Sequence, residues 1–149
     1  MAPAESRSQI TLQVKRRFEA SRERVFRAWT EAAGMRQWFF PAPDCTVEVP
    51  VLELRVGGKY QVEMHHANGN VHRLSGSDRE IRPPEKLAFT WGWEQETGAS
   101  ETLVTVEFHD LGESTEILQI HERFPNLEER EKHSHGWTGC LDQLAKLFT

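Results

Sequence analysis

Apolar residues recur along this chain with two different periods, and the change between them outlines the fold. From Asn126 to Thr149 they recur every three or four residues, which is typical of a helix with one buried face. The apolar stripe consists of Trp137, Leu141, Leu144 and Phe148. Asn126 is suited to cap this segment, with Glu129 three residues later in a box-like arrangement. We therefore predict one long C-terminal helix.

Most of the preceding chain alternates between apolar and polar residues, which is typical of half-buried β-strands. The first such segment is 9–18, and others follow from Cys45 to Phe124. Turn signals separate them at Gly57-Gly58, Asn68-Gly69-Asn70 and Pro83-Pro84-Glu85. Within 71–82 the pattern is poor, and Gly76 indicates a bulge. Strands joined by hairpins form an antiparallel sheet, so the long helix is expected to cover one face of it.

Two of the predicted strands have faces that bear on function. One strand places four large apolar residues on a single face, namely Leu87, Phe89, Trp91 and Trp93. In the strand from Ser114 to Phe124, one face carries Ile117, Gln119 and His121 and the other carries Leu118 and Ile120. The pattern of that second strand does not distinguish the two faces clearly. It therefore leaves open which of them is buried.

Two short helices are predicted after the first strand. Ser21 is a good N-cap for a helix that ends near Thr30 and carries Val25, Phe26 and Trp29 on its apolar side. A second short helix is expected to carry Met35, Trp38 and Phe39. The 149 residues suffice for one hydrophobic core, so we predict a single α+β domain over 1–149, with 1–8 frayed.

Composition excludes several classes of function. A net charge of −5 leaves no basic excess for binding phosphates, so we expect no nucleic-acid partner. The sequence has no apolar run long enough to span a membrane, and the first residues lack the apolar core of a secretory signal. Two cysteines are too few for a disulfide framework, so a reduced, cytoplasmic protein with no membrane association is expected.

Four segments together resemble the family of the activator of the 90-kDa heat-shock-protein ATPase homologue, within the START-like (SRPBCC) superfamily. They are ASRERVFRAWTEAAGMRQWF (20–39), LRVGGKYQVEM (54–64), IRPPEKLAFTWGWE (81–94) and GWTGCLDQLAKL (136–147). The resemblance implies a helix-grip fold, in which a curved antiparallel sheet of about six to seven strands wraps around the long C-terminal helix. It also implies an apolar cavity between the sheet and the helix.

The candidate ligand site follows from this arrangement. Aromatic side chains on the sheet face the helix, whose inward side is apolar after Trp137 and polar before it, at Arg130, His133 and Ser134. Ligand pockets are mostly apolar with a few polar groups, which this combination would supply. The predicted ligand-binding residues are Trp29, Met64, His66, Phe89, Trp91, Trp93, His121, His133, Trp137 and Cys140. Gly136 and Gly139 either shape this part of the helix by a kink or lie harmlessly at its surface.

Candidate chemistry is sparse. No HExxH, CxxC or GxSxG motif occurs, and the adjacent His65 and His66 would face opposite ways on a strand, so no metal, cofactor or catalytic residue is assigned. His66, His121 and His133 could converge on the cavity and orient a ligand. In a buried helix face, Cys140 is interpreted as a small hydrophobe.

The sequence is consistent with three functions. The first is a START-like binding module that holds a small hydrophobic or amphipathic molecule and is not an enzyme. The second, from the resemblance alone, is a chaperone-cofactor-like interaction domain with a role in the stress response. The third is a cyclase- or hydratase-like enzyme that uses the same pocket through the three histidines. The pattern also leaves a homodimer open.

Overall fold

Seven strands and three helices make up the protein in the computed structural model, which describes residues 10–40, 44–93 and 101–148. The strands are β1 (Thr11–Phe18), β2 (Thr46–Leu52), β3 (Lys59–His65), β4 (Val71–Arg82), β5 (Lys86–Trp93), β6 (Thr102–Asp110) and β7 (Thr115–Glu122). The helices are α1 (Arg22–Thr30), α2 (Ala32–Met35) and α3 (Leu127–Lys146). The predicted order of elements is confirmed, while the frayed segment predicted for 1–8 lies outside the described residues.

The strands form one antiparallel sheet in the order β1-β7-β6-β5-β4-β3-β2. Six strands follow one another as hairpins, and β1 closes the far side by pairing with β7. The pairing shifts register between Glu48 and Val51 of β2 and between Asp78 and Glu80 of β4. Such bulges bend a strand and increase its twist, which suits a sheet that lies around a helix. The helix-grip prediction is confirmed.

Helix α3 begins where its sequence predicts. The side-chain oxygen of Asn126 accepts a 2.8 Å hydrogen bond from the backbone N–H of Glu129, which satisfies an otherwise unpaired donor of the first turn. Its buried face carries Trp137, Leu141 and Leu144, as the apolar stripe indicates. The helix ends at Lys146, before the predicted end, and the edge of the Phe148 ring packs on Phe18 with 6.2 Å between ring centroids.

The short helices anchor the other aromatic residues. Ser21 caps α1 as predicted, and α1 buries Val25, Phe26 and Trp29. Helix α2 ends at Met35, so Trp38 and Phe39 lie in the segment that follows it. The prediction that they belong to the second helix is wrong. The indole Nε1 of Trp38 donates a 2.8 Å hydrogen bond to the Ala28 carbonyl, which joins this turn to α1.

Strand β7 turns polar side chains towards the core. Gln119 is 1% exposed and His121 is 0% exposed, whereas Leu118 and Ile120 on the opposite face are half-buried. The orientation that the sequence pattern left open is therefore the one with Ile117, Gln119 and His121 inside. Burial of a polar side chain costs free energy unless it is hydrogen-bonded, so the partners of His121 matter for the site described below.

The bulge in β4 lies two residues after the glycine that was expected to cause it. A Cβ added to Gly76 would lie 2.1 Å from the carbonyl oxygen of Thr90, so this glycine serves the close approach of β4 and β5. At the hairpin between β3 and β4, by contrast, Gly69 has φ of 93°, and the predicted turn is confirmed.

The two outermost strands differ in how their edges are protected. On β1, Arg16 donates a 2.8 Å hydrogen bond to the Asp142 carboxylate of α3. On β2, the register shift contains Pro50, whose nitrogen has no hydrogen to donate to a neighbouring strand. No helix in the described part of the chain is both long and apolar enough to span a membrane.

Candidate functional site

A pocket of about 490 Å³ lies between the sheet and the N-terminal half of α3, and we call it the aromatic pocket. The sheet side comes from the β3-β4 hairpin and the end of β5, and the helix side from α3 between Glu129 and Cys140. Its lining residues are Met64, His66, His72, Trp91, Trp93, Glu129, Lys132, His133, His135, Gly136, Trp137 and Cys140.

Three tryptophans form its main wall. Trp91 and Trp93 reach it from one face of β5, and their ring centroids are 5.6 Å apart in an edge-on contact. Trp137 comes from α3 and lies 5.0 Å from Trp91 by ring centroids. Aromatic pairs at such separations stabilise one another beyond the area they bury, so the wall is a fixed surface.

His133 is held in one tautomer by partners from two elements. Its Nδ1–H donates a 2.8 Å hydrogen bond to the Glu129 carbonyl one turn earlier in α3. Its Nε2 accepts a 3.0 Å hydrogen bond from the indole Nε1–H of Trp93. Since a neutral imidazole has one donor and one acceptor nitrogen, these two bonds occupy both positions of neutral His133.

His121 lies behind Trp137 and does not line the pocket. Its Nδ1 accepts a 3.0 Å hydrogen bond from the Trp137 indole, and its Nε2–H donates to the Thr102 hydroxyl at 2.7 Å. The Thr102 hydroxyl donates in turn to the Trp91 carbonyl. Burial, aided by the nearby His133, lowers the pKa of His121 well below its ordinary value, so His121 is neutral and holds Trp137 in place.

His66 does not join the other two histidines. The ring centroids of His121 and His133 are 5.2 Å apart, as their predicted convergence requires. His66 instead contacts Cys45, whose Sγ is 3.0 Å from its Nδ1, and His72, whose Nδ1 is 2.8 Å from its Nε2. The predicted cluster of three histidines is therefore split into the pair of His121 and His133, of which only His133 lines the pocket, and His66, which lines it elsewhere.

The other predicted residues fall into two groups. Met64, Trp91, Trp93, Trp137 and Cys140 line the aromatic pocket together with His66 and His133. Trp29 and Phe89 line a separate, small pocket of about 40 Å³ beside Tyr60 and Asp78. Trp29 stacks on Trp137 at 5.8 Å and so supports the wall of the aromatic pocket from behind.

Five lining residues were missed from the sequence, namely His72, Glu129, Lys132, His135 and Gly136. One of them could have been found, because the β3-β4 hairpin pairs His72 directly with Met64, which was predicted to line the site. Gly136 is open on the pocket side, and a Cβ added there would meet no atom within 4 Å. Gly136 therefore lies in the pocket wall, within a helix that runs uninterrupted from Leu127 to Lys146.

A larger depression of about 790 Å³ adjoins the aromatic pocket and shares Trp91, Trp93, Glu129 and His133 with it. Its other walls are largely polar and come from β3, β4 and the start of β6, for example Gln61, Ser75 and Thr102. The aromatic pocket is therefore the apolar part of a longer concave surface beside α3.

Neither cysteine forms a disulfide in the structure. Burial raises the pKa of the Cys140 thiol far above its ordinary range, which keeps it protonated in the apolar wall. Among residues 10–40, 44–93 and 101–148, no three histidine, cysteine, aspartate or glutamate side chains are arranged to hold a metal ion.

Comparison with known proteins agrees with this architecture. The family described as "Activator of Hsp90 ATPase homolog 1-like protein" matches residues 19–149. A protein from Chromobacterium violaceum is similar in structure with a TM-score of 0.85 and 27% identity, covering 93% of this chain and 96% of that one. The AHSA1 protein from Silicibacter pomeroyi has a TM-score of 0.79 and 26% identity, covering 91% and 95%.

A more distant structure shares the fold alone. The protein Ms6760 from Mycobacterium smegmatis has a TM-score of 0.82 at 17% identity, covering 94% of this chain and 91% of that one. No curated protein matches the sequence. The resemblance of the four sequence segments is thus confirmed over almost the whole chain, and the protein belongs to the family of Activator of Hsp90 ATPase homolog 1-like proteins.

Proposed function

We propose that this protein binds a small apolar or amphipathic molecule in the aromatic pocket. The observation that carries the proposal is a concave surface of about 490 Å³ whose walls include three tryptophans and Met64. Small-molecule sites of about 300–1,000 Å³ with mostly apolar walls and few polar groups are the usual case in proteins. The two buried thiols fit a reducing compartment such as the cytoplasm.

Polar groups at the wall favour an amphipathic ligand over a purely apolar one. The indole Nε1–H of Trp91 is buried and has no hydrogen-bond partner within the described residues. An unpaired buried donor costs roughly 1–3 kcal/mol, so a ligand carbonyl or hydroxyl would gain affinity from this hydrogen bond if the wall moved enough to expose the indole N–H. Lys132 and His135 on α3 add polar groups at the rim.

The hydrogen bonds of the histidines favour binding over catalysis. Both ring nitrogens of His121 and of His133 are occupied by fixed partners. A general base needs a free lone pair within reach of the substrate. The occupied nitrogens argue against a cyclase- or hydratase-like reaction that uses His121 or His133. They favour a role of these residues in holding the pocket wall in place.

Gly136 offers a test of the pocket with a matched control. In Gly136→Leu the side chain would project into the open space of the pocket, whereas Gly136→Ala would leave most of that space free. Both changes raise helix propensity, by up to about 1 kcal/mol for alanine, so a loss of binding in one of them cannot come from a weakened helix.

The experiment measures binding of 1-anilinonaphthalene-8-sulfonate, followed by a panel of fatty acids and aromatic metabolites, through probe and tryptophan fluorescence. We expect saturable binding to the unmodified protein and to Gly136→Ala, and at least about a tenfold weaker affinity in Gly136→Leu, which corresponds to 1.4 kcal/mol. Equal affinity in both variants, or no compound that binds, would refute the proposal.

Family membership also supports a chaperone-cofactor role. That function predicts that the protein stimulates the ATPase of Hsp90, and that Gly136→Leu does so as well as the unmodified protein. ATPase stimulation without any ligand binding would replace the proposal made here.

A further inference from the structure

Histidines are concentrated around the aromatic pocket, where four of the seven in the chain contribute to the lining. The other lining side chains that carry charge are one carboxylate, Glu129, and one ammonium, Lys132. The four histidines are His66, His72, His133 and His135. The polar part of this mostly apolar pocket therefore consists largely of nitrogen groups.

The summed charge of this lining is zero or positive. Nζ of Lys132 donates a 3.2 Å hydrogen bond to the Glu129 carboxylate, so the two charges cancel. The same hydrogen bond raises the pKa of Lys132 above its ordinary value, which keeps the ammonium charged. An imidazole is neutral or positive, and it changes charge near neutral pH. A bound cation would find only a carboxylate that already has a partner, whereas a bound anion would find groups that can take up a proton.

The four imidazoles differ in how many of their ring nitrogens are occupied. His66 contacts Sγ of Cys45 through Nδ1 and His72 through Nε2, and both nitrogens of His133 have partners. Within the described residues, His72 uses only its Nδ1, and His135 makes no hydrogen bond. A protonated His72 can still donate its Nδ1–H to Nε2 of His66. His72 and His135 can therefore take up a proton without loss of a bond inside the wall.

Three of the lining residues are exposed, namely His72, Lys132 and His135, and we call them the mouth of the pocket. His72 belongs to β4 on the sheet side, whereas Lys132 and His135 lie three positions apart on α3 and are neighbours on its surface. An ammonium has three N–H donors, so the bond to Glu129 leaves Lys132 able to donate to a ligand. Each member of the mouth thus offers an N–H group that is positive or can become so.

The titratable groups next to the mouth leave this pattern in place. On α3, Glu128 contacts Lys132 at 3.7 Å from outside the lining, and Glu131 is bonded to Arg130 at 3.0 Å. On the sheet side, the titratable group beside the mouth is His66, which is itself a nitrogen group. No carboxylate belongs to the mouth, so nothing in it would repel an anionic head group directly.

We infer that the ligand of the aromatic pocket is an amphipathic anion, whose carboxylate-like head group is held at the mouth by His72, Lys132 and His135. Its apolar body lies against the tryptophans of the wall. The inference rests on the proposed function, since a head group is selected only if a body occupies the pocket. Binding draws protons onto His72 and His135, so it strengthens as the pH falls from 8.5 to 6, a range in which a carboxylic acid stays ionised.

The first test compares decanoate, 1-decanol and decylammonium, which share one alkyl chain length and differ in charge. Each is used below its micelle concentration to displace the neutral fluorescent probe N-phenyl-1-naphthylamine. At pH 6 we expect decanoate to bind at least about fivefold more tightly than 1-decanol, because one exposed ion pair contributes up to about that factor. Decylammonium should bind more weakly than 1-decanol. Equal affinities, or tightest binding of decylammonium, would overturn the inference.

The overall charge of the protein works against the expected order. The chain carries a net charge of −5, which favours a cation over an anion at long range. A preference for decanoate must therefore come from groups near the pocket. Between pH 6 and 8.5 the advantage of decanoate over 1-decanol should shrink about threefold, as the histidines lose their protons. A ratio that stays constant over this range would overturn the inference.

Variants of the mouth assign the effect to its residues. His72→Gln and His135→Gln remove the titratable charge and keep a side-chain N–H donor. Each should weaken binding of decanoate about threefold at pH 6 and leave that of 1-decanol unchanged, and the double variant should lose most of the pH dependence. His109→Gln is the matched control, because His109 is an exposed histidine of β6 that is bonded to Glu107 and does not line the pocket. A control that weakens binding of decanoate as much as the mouth variants would overturn the inference.

The inference and the proposed function fail in different ways. Displacement of the probe by all three ligands with the same affinity would overturn the inference and leave the proposed function intact. If neither the probe nor any of the three ligands binds, the proposed function is overturned and the inference with it. Preferential binding of decanoate that Gly136→Leu abolishes, together with that of 1-decanol, would support both.

Discussion

The indole of Trp93 on β5 donates a 3.0 Å hydrogen bond to Nε2 of His133 on α3. A second bond of the same kind lies deeper, from the indole of Trp137 to Nδ1 of His121. Each joins the sheet to the long helix through a tryptophan donor and a histidine acceptor. The two differ in burial, because His121 is fully buried and His133 is not.

The difference in burial predicts that removing the indole donors of Trp137 and Trp93 lowers the free energy of unfolding by different amounts. Trp137→Phe should lower the free energy of unfolding by about 3 kcal/mol, since it leaves the buried Nδ1 of His121 unpaired and removes packed volume. Trp93→Phe should cost about 1 kcal/mol, because water can reach His133. Urea unfolding followed by circular dichroism checks both values, and equal costs would contradict the role given to burial.

His121 predicts a loss of stability in mild acid. Its pKa in the folded protein lies well below the ordinary value of 6.5, so the unfolded chain binds more protons below that pH. Stability from this residue is therefore complete above pH 6.5 and falls as the pH decreases below it, with a slope of up to about 1.4 kcal/mol per pH unit. Thermal unfolding between pH 4.5 and 7.5 measures the slope, which His121→Gln should flatten.

Asp78 predicts the opposite dependence. Burial raises the pKa of its carboxyl from 3.8 to about 6, partly offset by a hydrogen bond from the backbone of Arg55, and one carboxyl oxygen has no partner within the described residues. The folded protein binds more protons between these values, so stability from Asp78 falls as the pH rises through this window.

Asp78→Asn should therefore stabilise the protein above pH 6, by about 1 kcal/mol after allowance for the buried amide, and have little effect near pH 4. Unfolding curves at pH 4 and 7 make the comparison. A variant that is less stable than the unmodified protein at pH 7 would show that the charge has a favourable partner. The same variant is the best background in which to measure the slope due to His121.

Gly76 and Gly92 form a matched pair on neighbouring strands. In Gly76→Ala the new Cβ would lie 2.1 Å from the Thr90 carbonyl oxygen, whereas in Gly92→Ala the nearest atom is 3.7 Å away. The first should cost about 3 kcal/mol, because the strands must separate, and the second should change stability by less than about 0.5 kcal/mol. Similar melting temperatures for the two variants would contradict the close approach of β4 and β5.

The sequence pattern predicted the fold because most elements carry a local signal. The stripe on α3 and the Asn126 cap depend on residues a few positions apart, as do the hairpin signals. The orientation of β7 had no such signal. His121 is inside because Trp137 and Thr102 supply its partners, and both lie on other elements.

Part of the candidate site was predicted because some of its residues can be placed from local patterns. Trp91, Trp93 and Trp137 could be placed from the faces of one strand and one helix. The contact between Cys45 and His66 depends on the register of β2 against β3. Because the register shifts between Glu48 and Val51, counting residues outward from the turn does not give the correct partners. Gly136 lines the pocket because β3, β4 and β5 lie across from α3, and a helical pattern does not contain that information.

The bond between Arg16 and Asp142 has a consequence for encounters between copies of this protein. The outermost strands of an open sheet can template the addition of foreign strands and so start aggregation. Here β1 turns a charged, hydrogen-bonded arginine towards the helix side, and β2 carries a proline within its irregular pairing. Each edge strand thus carries a feature that hinders the pairing of a further strand.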